Sequence, residues 1–166
     1  MLNRGVENPE QIENLGIPVY ATVPLSREQS NLNWLVGKGK VKNKSEIHLL
    51  ALDNPADLAI EALRGLRTSL HFAMMDAKNN ILMISGPSPG VGKSFVSANF
   101  AAVFAQSDKR VLVVDADLRR GVMHEQFNVD KGQGLSEVLS RQTELKEAIR
   151  ETQIEGLHFL SRGAAP

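Results

Sequence analysis

Residues 81–94 are the stretch that most constrains the fold of this chain. An apolar run passes into a turn rich in glycine, proline and serine, and Gly92-Lys93-Ser94 then opens a segment with helical apolar spacing. A buried strand, a tight loop and a helix in this order are what a phosphate-binding P-loop requires. The strict P-loop spacing needs a glycine where this chain has Pro87, and Gly86 comes one residue early. The segment is therefore predicted to be a variant P-loop.

The loop supplies the candidate nucleotide-binding residues. Backbone N–H groups at a helix N-terminus point at an anion, and the helix dipole favours negative charge there. A lysine at position 93 reaches the outer phosphates, and the hydroxyl of Ser94 is a ligand for Mg²⁺. A lone Gly-Lys-Ser also suits a simple capped turn, but its context favours nucleotide binding. The candidate binding residues are Gly90, Val91, Gly92, Lys93, Ser94 and Phe95.

A pair of carboxylates follows the next apolar run. Residues 111–114 are continuously apolar, which predicts a strand buried on both faces, and Asp115 and Asp117 come directly after it. Open α/β sheets bind ligands at the carboxyl ends of their strands. If this strand neighbours the one before the P-loop, both carboxylates face the phosphates, where they position Mg²⁺ and accept a proton. Capping of the next helix is the alternative, and the P-loop upstream favours the metal role.

Strand and helix patterns alternate along the chain. This alternation predicts an α/β fold, a P-loop NTPase-like, mostly parallel sheet with helices on both faces. We divide the chain into a lead-in, residues 1–53, and an incomplete nucleotide-binding domain, residues 54–166. The predicted helices cover 8–16, 54–75, 93–106, 134–141 and 143–151, the predicted strands 17–24, 80–85, 111–114 and 157–160. A basic linker in the lead-in carries Lys38, Lys40, Lys42 and Lys44.

The composition excludes several classes of protein. The chain has 166 residues, about the size of one domain, with 19 basic and 19 acidic residues, so no charge excess indicates a nucleic-acid surface. The absence of cysteine excludes disulfides, thiolate metal sites and cysteine nucleophiles. The four histidines have no metal-ligand spacing, and no apolar run is long enough to span a bilayer. We expect a cytosolic chain.

The motifs resemble those of the cytoplasmic kinase domain of bacterial tyrosine kinases, of the Wzc-like type fused to polysaccharide co-polymerases. The resemblance runs from the lead-in, residues 5–24, to the second motif. It implies ATP and Mg²⁺ as cofactors, with Lys93 on the phosphates and Ser94 on the metal. It also implies that Asp115 is the base for the substrate tyrosine and that Asp117 helps to hold the hydrated metal. The implied activity is an autokinase in capsule or exopolysaccharide synthesis and export.

Glu61, Arg64 and Arg67 match the family's E-x-x-R-x-x-R helix motif, which is implicated there in contacts between the subunits of a ring. Residues three apart on a helix form a band on one flank. An exposed face with a weak Glu–Arg pair is the alternative. The resemblance implies a ring-forming homo-oligomer whose tyrosine tail is phosphorylated in trans. It also implies a membrane-spanning co-polymerase region upstream, no nucleic acid, and a position at the cytoplasmic side of the bacterial inner membrane.

The family's third motif, an aspartate-ended strand, and its tyrosine-rich tail are not in this sequence, so we expect a truncated domain. The chain's only tyrosine, Tyr20, falls in a predicted strand and is interpreted as structural rather than as an autophosphorylation site. Two alternatives stay open, a MinD/ParA-type ATPase and a non-catalytic nucleotide-binding assembly module. The ATPases carry a signature lysine where this chain has Ser88, and they begin close to their P-loop, so both features favour the kinase.

Overall fold

The structure, a computed structural model, describes residues 6, 8–26 and 49–164. The four lysines of the predicted basic linker lie outside these ranges. No helix in the described ranges is both long enough and apolar enough to cross a membrane. The elements are α1 (Glu10–Glu13), α2 (Leu50–Asp53), α3 (Leu58–Ala73), α4 (Lys93–Ala105), β1 (Val111–Val114), α5 (Met123–Gln126), α6 (Leu135–Leu139), α7 (Leu145–Ala148), β2 (Ile149–Glu151) and β3 (Leu157–Leu160).

The described strands form one mixed sheet in the order β1–β3–β2. β1 and β3 run parallel, with Val111 opposite Leu157. β2 runs antiparallel to β3, with Ile149 opposite Leu160. The predicted α/β class is confirmed. The predicted helix at 143–151 is too long, because α7 ends at Ala148 and the backbone turns extended at Ile149 to begin β2.

The core lies between this sheet and the helices α2, α3, α4 and α5. The long helices α3 and α4 pack on each other, and α4 packs on β1. Each fully buried large apolar side chain contributes about 1.5–3 kcal/mol. Because the short helix α2 lies in the same core, residues of the predicted lead-in pack against residues of the predicted nucleotide-binding region. The buried apolar side chains include Leu49 and Leu50 at α2, Ile60 and Leu63 on α3, Phe100 and Val103 on α4, and Leu157 and Phe159 on β3.

The two long helices lie where the apolar spacing predicts them. The bounds of α3 fall inside the predicted range 54–75, and those of α4 inside 93–106. The start of α3 is set by Asp57, whose side-chain oxygen accepts a hydrogen bond from the Ala59 N–H at 2.8 Å. A carboxylate in this position accepts a hydrogen bond from an N–H group that has no partner inside the helix. Its negative charge also interacts favourably with the positive end of the helix dipole.

The predicted strand at 80–85 does not form. These residues have no strand assignment, and the side chains of Ile81 and Met83 are 78% and 84% exposed. A strand is stable when its N–H and C=O groups pair with a neighbour, and no described segment pairs with this one. The predicted burial of β1 on both faces is also wrong, because Leu112 and Val114 are 44% and 42% exposed.

The predicted strand at 17–24 is likewise irregular. Pro18 and Pro24 lie near its two ends, and proline lacks the N–H group that a sheet ladder needs. The side chains from Val19 to Val23 nevertheless alternate between half-buried and exposed. No described residue pairs with the backbone of this segment.

Candidate nucleotide-binding site

The loop before α4 depends on three glycines. Gly92 immediately precedes the helix with φ of +92°, and Gly90 has φ of +79°, a left-handed conformation that glycine adopts without strain. Gly86 faces the loop's own side chains, because a Cβ atom there would lie 2.9 Å from Cγ2 of Val91. The glycine that comes one residue early in the sequence therefore serves a close approach within the loop.

Lys93, the first residue of α4, folds back over this loop. Its ammonium Nζ donates to the backbone carbonyl of Ser88 at 2.9 Å. The side chain of Ser94 is exposed beside it, and the first turn of the helix carries no acidic residue. The positive end of a 13-residue helix, a lysine and a hydroxyl that no described residue bonds thus meet at one place. These donors fit a phosphate chain and the magnesium ion that accompanies it.

Asp115, directly after β1, is buried and organises the loop that follows. Its two carboxylate oxygens accept hydrogen bonds from the N–H groups of Asp117, at 3.3 Å, and Met123, at 3.1 Å. Its side chain is 4% exposed. Gly121 approaches this carboxylate so closely that a Cβ atom there would lie 2.5 Å from both oxygens. The loop 115–123 is therefore folded around the carboxylate of Asp115.

Asp117 is the exposed carboxylate of the pair. One of its oxygens accepts from the N–H groups of Arg120, at 2.9 Å, and Arg119, at 3.2 Å. No described residue bonds the other oxygen, which is open to a metal ion. The described residues contain no cluster of three or more metal-ligating side chains. Magnesium sites built from one or two carboxylates, a hydroxyl and substrate phosphates need no such cluster.

The sequence suggested that two neighbouring strands bring the P-loop and the Asp115–Asp117 motif together, and the structure does not contain this strand pair. The hypothesis placed the strand before the P-loop beside β1, but β1 pairs with β3 and residues 80–85 stand outside the sheet. The connection runs instead through α4, which begins at Lys93 and packs on β1. Helix packing therefore supplies the link that strand pairing was expected to supply.

Arg162 is a site residue that the sequence reasoning missed. It follows β3 at the carboxyl end of the sheet, and its guanidinium donates to the carbonyls of Gly121, at 2.9 Å, and Leu118, at 3.0 Å. Both carbonyls belong to the loop that carries Asp117. The contact spans more than forty residues of sequence, and the only available signal was an arginine just beyond a predicted strand. Arg162 fixes the shape of this loop.

Glu137 holds the chain beyond Arg162. Its carboxylate accepts hydrogen bonds from the N–H of Gly134, at 2.8 Å, and of Ala164, at 2.9 Å. These bonds, that from Gly134 first, lower the pKa of Glu137 from 4.5 to about 2, against the opposing effect of burial. Hydrogen bonds to the ionised form favour that form. The carboxylate thereby ties α6 to the segment after β3.

The Glu61–Arg67 band has partners within the chain. Arg64 pairs with Glu61 and donates to the carbonyl of Pro55 at 2.8 Å. Arg67 reaches across to the end of α4, where it donates to the carbonyl of Val103 at 3.0 Å and to the hydroxyl of Ser107, just beyond the helix. Arg67 thus closes the C-terminal end of the helix that begins at the P-loop. The contact between subunits stays a prediction.

Comparison with known proteins agrees with this geometry. Residues 82–157 match the CobQ/CobB/MinD/ParA nucleotide binding domain. The whole chain is 51% identical, over 168 aligned residues, to a Klebsiella pneumoniae protein named as a tyrosine-protein kinase in the cps region. The family resemblance is confirmed: this chain is homologous along its whole length to Wzc- and Etk-type bacterial tyrosine kinases.

Solved structures of kinase domains from this family resemble the fold. The BceF tyrosine kinase domain has a TM-score of 0.88 and 45% identity, with 98% of this chain and 64% of that chain covered. The kinase domain of the Escherichia coli tyrosine kinase ETK has a TM-score of 0.85 and 51% identity, with 98% and 61% covered. The chain spans 23% of the Klebsiella relative's length.

Proposed function

We propose that this chain is the nucleotide-binding part of an ATP-dependent protein tyrosine kinase that acts in capsule or exopolysaccharide synthesis and export. The observation that carries the proposal is that α4, which begins at the P-loop lysine and serine, packs on β1, which ends at the second motif. The names of the relatives supply the choice of tyrosine as acceptor. The position of one relative in a cps region supports the polysaccharide context.

The P-loop residues bind and orient the nucleotide in this proposal. The N–H groups of residues 90–95 face the phosphates, and Lys93 exchanges the Ser88 carbonyl for a phosphate oxygen. Ser94 and the open oxygen of Asp117 hold Mg²⁺. The ion, when bound, neutralises charge on the phosphate oxygens and aligns the terminal phosphoryl group.

Asp115 is the proposed acceptor of the proton from the tyrosine hydroxyl. Two backbone N–H groups fix its carboxylate, and each oxygen keeps a further lone pair for a proton. Its fixed position suits a base that must stand in one place relative to the acceptor. Arg162 supports this arrangement by holding the rest of the loop.

The family resemblance supports the partners and the location that we propose. We propose a ring-forming homo-oligomer, a tyrosine tail phosphorylated in trans, a membrane-spanning co-polymerase region in the same system, and a position on the cytoplasmic side of the inner membrane. Glu61, Arg64 and Arg67 are the proposed interface residues. The side chain of Glu61 is 57% exposed and that of Arg64 32%, so these two remain accessible to a neighbour.

The test is phosphoryl transfer to a random glutamate–tyrosine copolymer with Mg-ATP. Wild type is compared with Lys93→Met and with the control Lys78→Met, which removes an exposed lysine outside the loop. We expect Lys78→Met to match wild type and Lys93→Met to lose about 100-fold or more, as for other preorganised charge contacts to a transition state. Wild-type transfer no greater than that of Lys93→Met contradicts the kinase proposal.

A second measurement separates the alternatives. Binding of a fluorescent ATP analogue and release of inorganic phosphate are followed on the same three proteins. Lys93-dependent binding without transfer or hydrolysis indicates a non-catalytic assembly module. Lys93-dependent phosphate release without phosphotyrosine indicates an ATPase of the MinD/ParA type, the coarser class that the matched nucleotide-binding domain includes.

A further inference from the structure

An irregular segment joins α1 to Ser26, the last described residue before the predicted linker. Residues 17–25 have no helix or strand, and no backbone hydrogen bond within the described chain holds them. Both ends of the segment are anchored. The Gly16 N–H donates to the carbonyl of Glu13 at 2.8 Å, and the buried Ser26 donates to the carboxylate of Asp57 at 2.9 Å.

Tyr20 lies in the middle of this segment and points outward. Its neighbours Val19 and Ala21 are half-buried, whereas the tyrosine is 49% exposed. No described residue hydrogen-bonds its hydroxyl, and no ring in the described chain stacks on it. A tyrosine with a structural role usually buries its ring and gives its hydroxyl a partner. The interpretation of Tyr20 as structural therefore finds no support in its surroundings.

These features suit a substrate of a tyrosine kinase. A protein kinase must bring an acceptor hydroxyl in line with the terminal phosphoryl group, which requires a side chain that its surroundings do not hold. The N–H and C=O groups on both sides of Tyr20 bond no described residue and are available to a peptide-binding site. The added phosphate carries about two negative charges, and an exposed position accepts them without loss of buried contacts.

We propose that Tyr20 is a phosphoacceptor of this protein's own kinase activity. The inference rests on the proposed function. The tyrosine oxygen forms a bond to the γ-phosphorus of ATP, the bond from that phosphorus to the oxygen bridging it to the β-phosphate breaks, and ADP leaves. The hydroxyl proton passes to a carboxylate base and then to solvent. The products are phosphotyrosine, ADP and one proton.

The experiment uses the fact that Tyr20 is the only tyrosine in the chain, so any phosphotyrosine on the chain is on this residue. Wild type and Tyr20→Phe are incubated with Mg-ATP in the presence of the glutamate–tyrosine copolymer. Anti-phosphotyrosine blots and mass spectrometry of intact chains then read both acceptors. The phenylalanine keeps the ring and removes only the hydroxyl, so thermal unfolding of the two proteins should coincide.

We expect wild type to gain one phosphoryl group at Tyr20 and Tyr20→Phe to gain no phosphotyrosine while it modifies the copolymer at the wild-type rate. Copolymer phosphorylation with an unmodified Tyr20 overturns this inference and leaves the proposed function standing. Failure of wild type to modify either acceptor overturns both.

Discussion

Replacing Glu137 by glutamine should destabilise the protein at neutral pH and do so less in acid. The carboxylate is 8% exposed and accepts hydrogen bonds from the N–H groups of Gly134 and Ala164. A glutamine side chain has the same shape but offers one oxygen and one NH₂ group. One of the two backbone N–H groups would then face another donor, which leaves it unsatisfied in a buried place.

The pKa of the carboxyl group gives the size of the effect. A folded pKa of about 2 against an ordinary 4.5 sets an upper limit of about 3.5 kcal/mol, because each pKa unit corresponds to about 1.4 kcal/mol. Water at the edge of the site screens part of this, and hydrogen bonds to a charged group contribute about 1.5–3 kcal/mol. We therefore expect Glu137→Gln to lower the free energy of unfolding by about 2 kcal/mol.

The pH dependence has a definite sign. Because folding lowers the pKa, the stabilisation is fully present above pH 4.5 and is lost as the pH falls towards about 2. Urea unfolding at about pH 7 and at about pH 3 measures it. The exposed Glu155→Gln is the control and should change stability by less than about 0.5 kcal/mol. A Glu137→Gln deficit that stays constant across this pH range would refute the argument.

Two further pairs of variants test the packing around the site. Gly163 and Gly16 both have φ of +80°, but a Cβ at Gly163 would collide with the Glu137 carboxylate whereas one at Gly16 meets open space. Gly163→Ala should therefore cost about 3 kcal/mol and Gly16→Ala about 1 kcal/mol in urea unfolding, and equal costs would contradict the steric part of the reasoning. Arg67→Ala should cost about 1–2 kcal/mol, because the Val103 carbonyl loses a charged donor at the end of α4, and Arg64→Ala less than about 0.5 kcal/mol. Thermal unfolding monitored by circular dichroism checks this order, and an equal or greater loss for Arg64→Ala would contradict it.

The local sequence pattern was enough to predict the two long helices and two of the strands. The apolar spacing of α3 and α4 runs over three or more turns, and both helices fall inside their predicted ranges. The strand runs 111–114 and 157–160 have the predicted bounds as well. Such segments combine a long periodic signal, or β-branched and aromatic side chains, with clear turn residues at their ends.

The features that were wrong or missed depend on parts of the chain that are distant in sequence. Residues 80–85 have the apolar character of a strand, but a strand also needs a neighbour, and its own sequence does not specify one. The contact of Arg162 with the carbonyls of Leu118 and Gly121 depends on how β3 lies beside β1. The nucleotide and metal roles of Lys93, Ser94 and Asp117 stay predictions, supported by the loop glycines and by the open carboxylate oxygen.

The hydrogen bonds of residues 162–164 couple two parts of the structure mechanically. Arg162 hydrogen-bonds the backbone of the loop that carries Asp117, and Glu137 accepts a hydrogen bond from the N–H of Ala164. A displacement of the chain after residue 164 acts on these two contacts before it reaches any other part of the site. The position of Asp117, the proposed metal ligand, is thereby coupled through the Arg162 guanidinium to the path of the chain after β3.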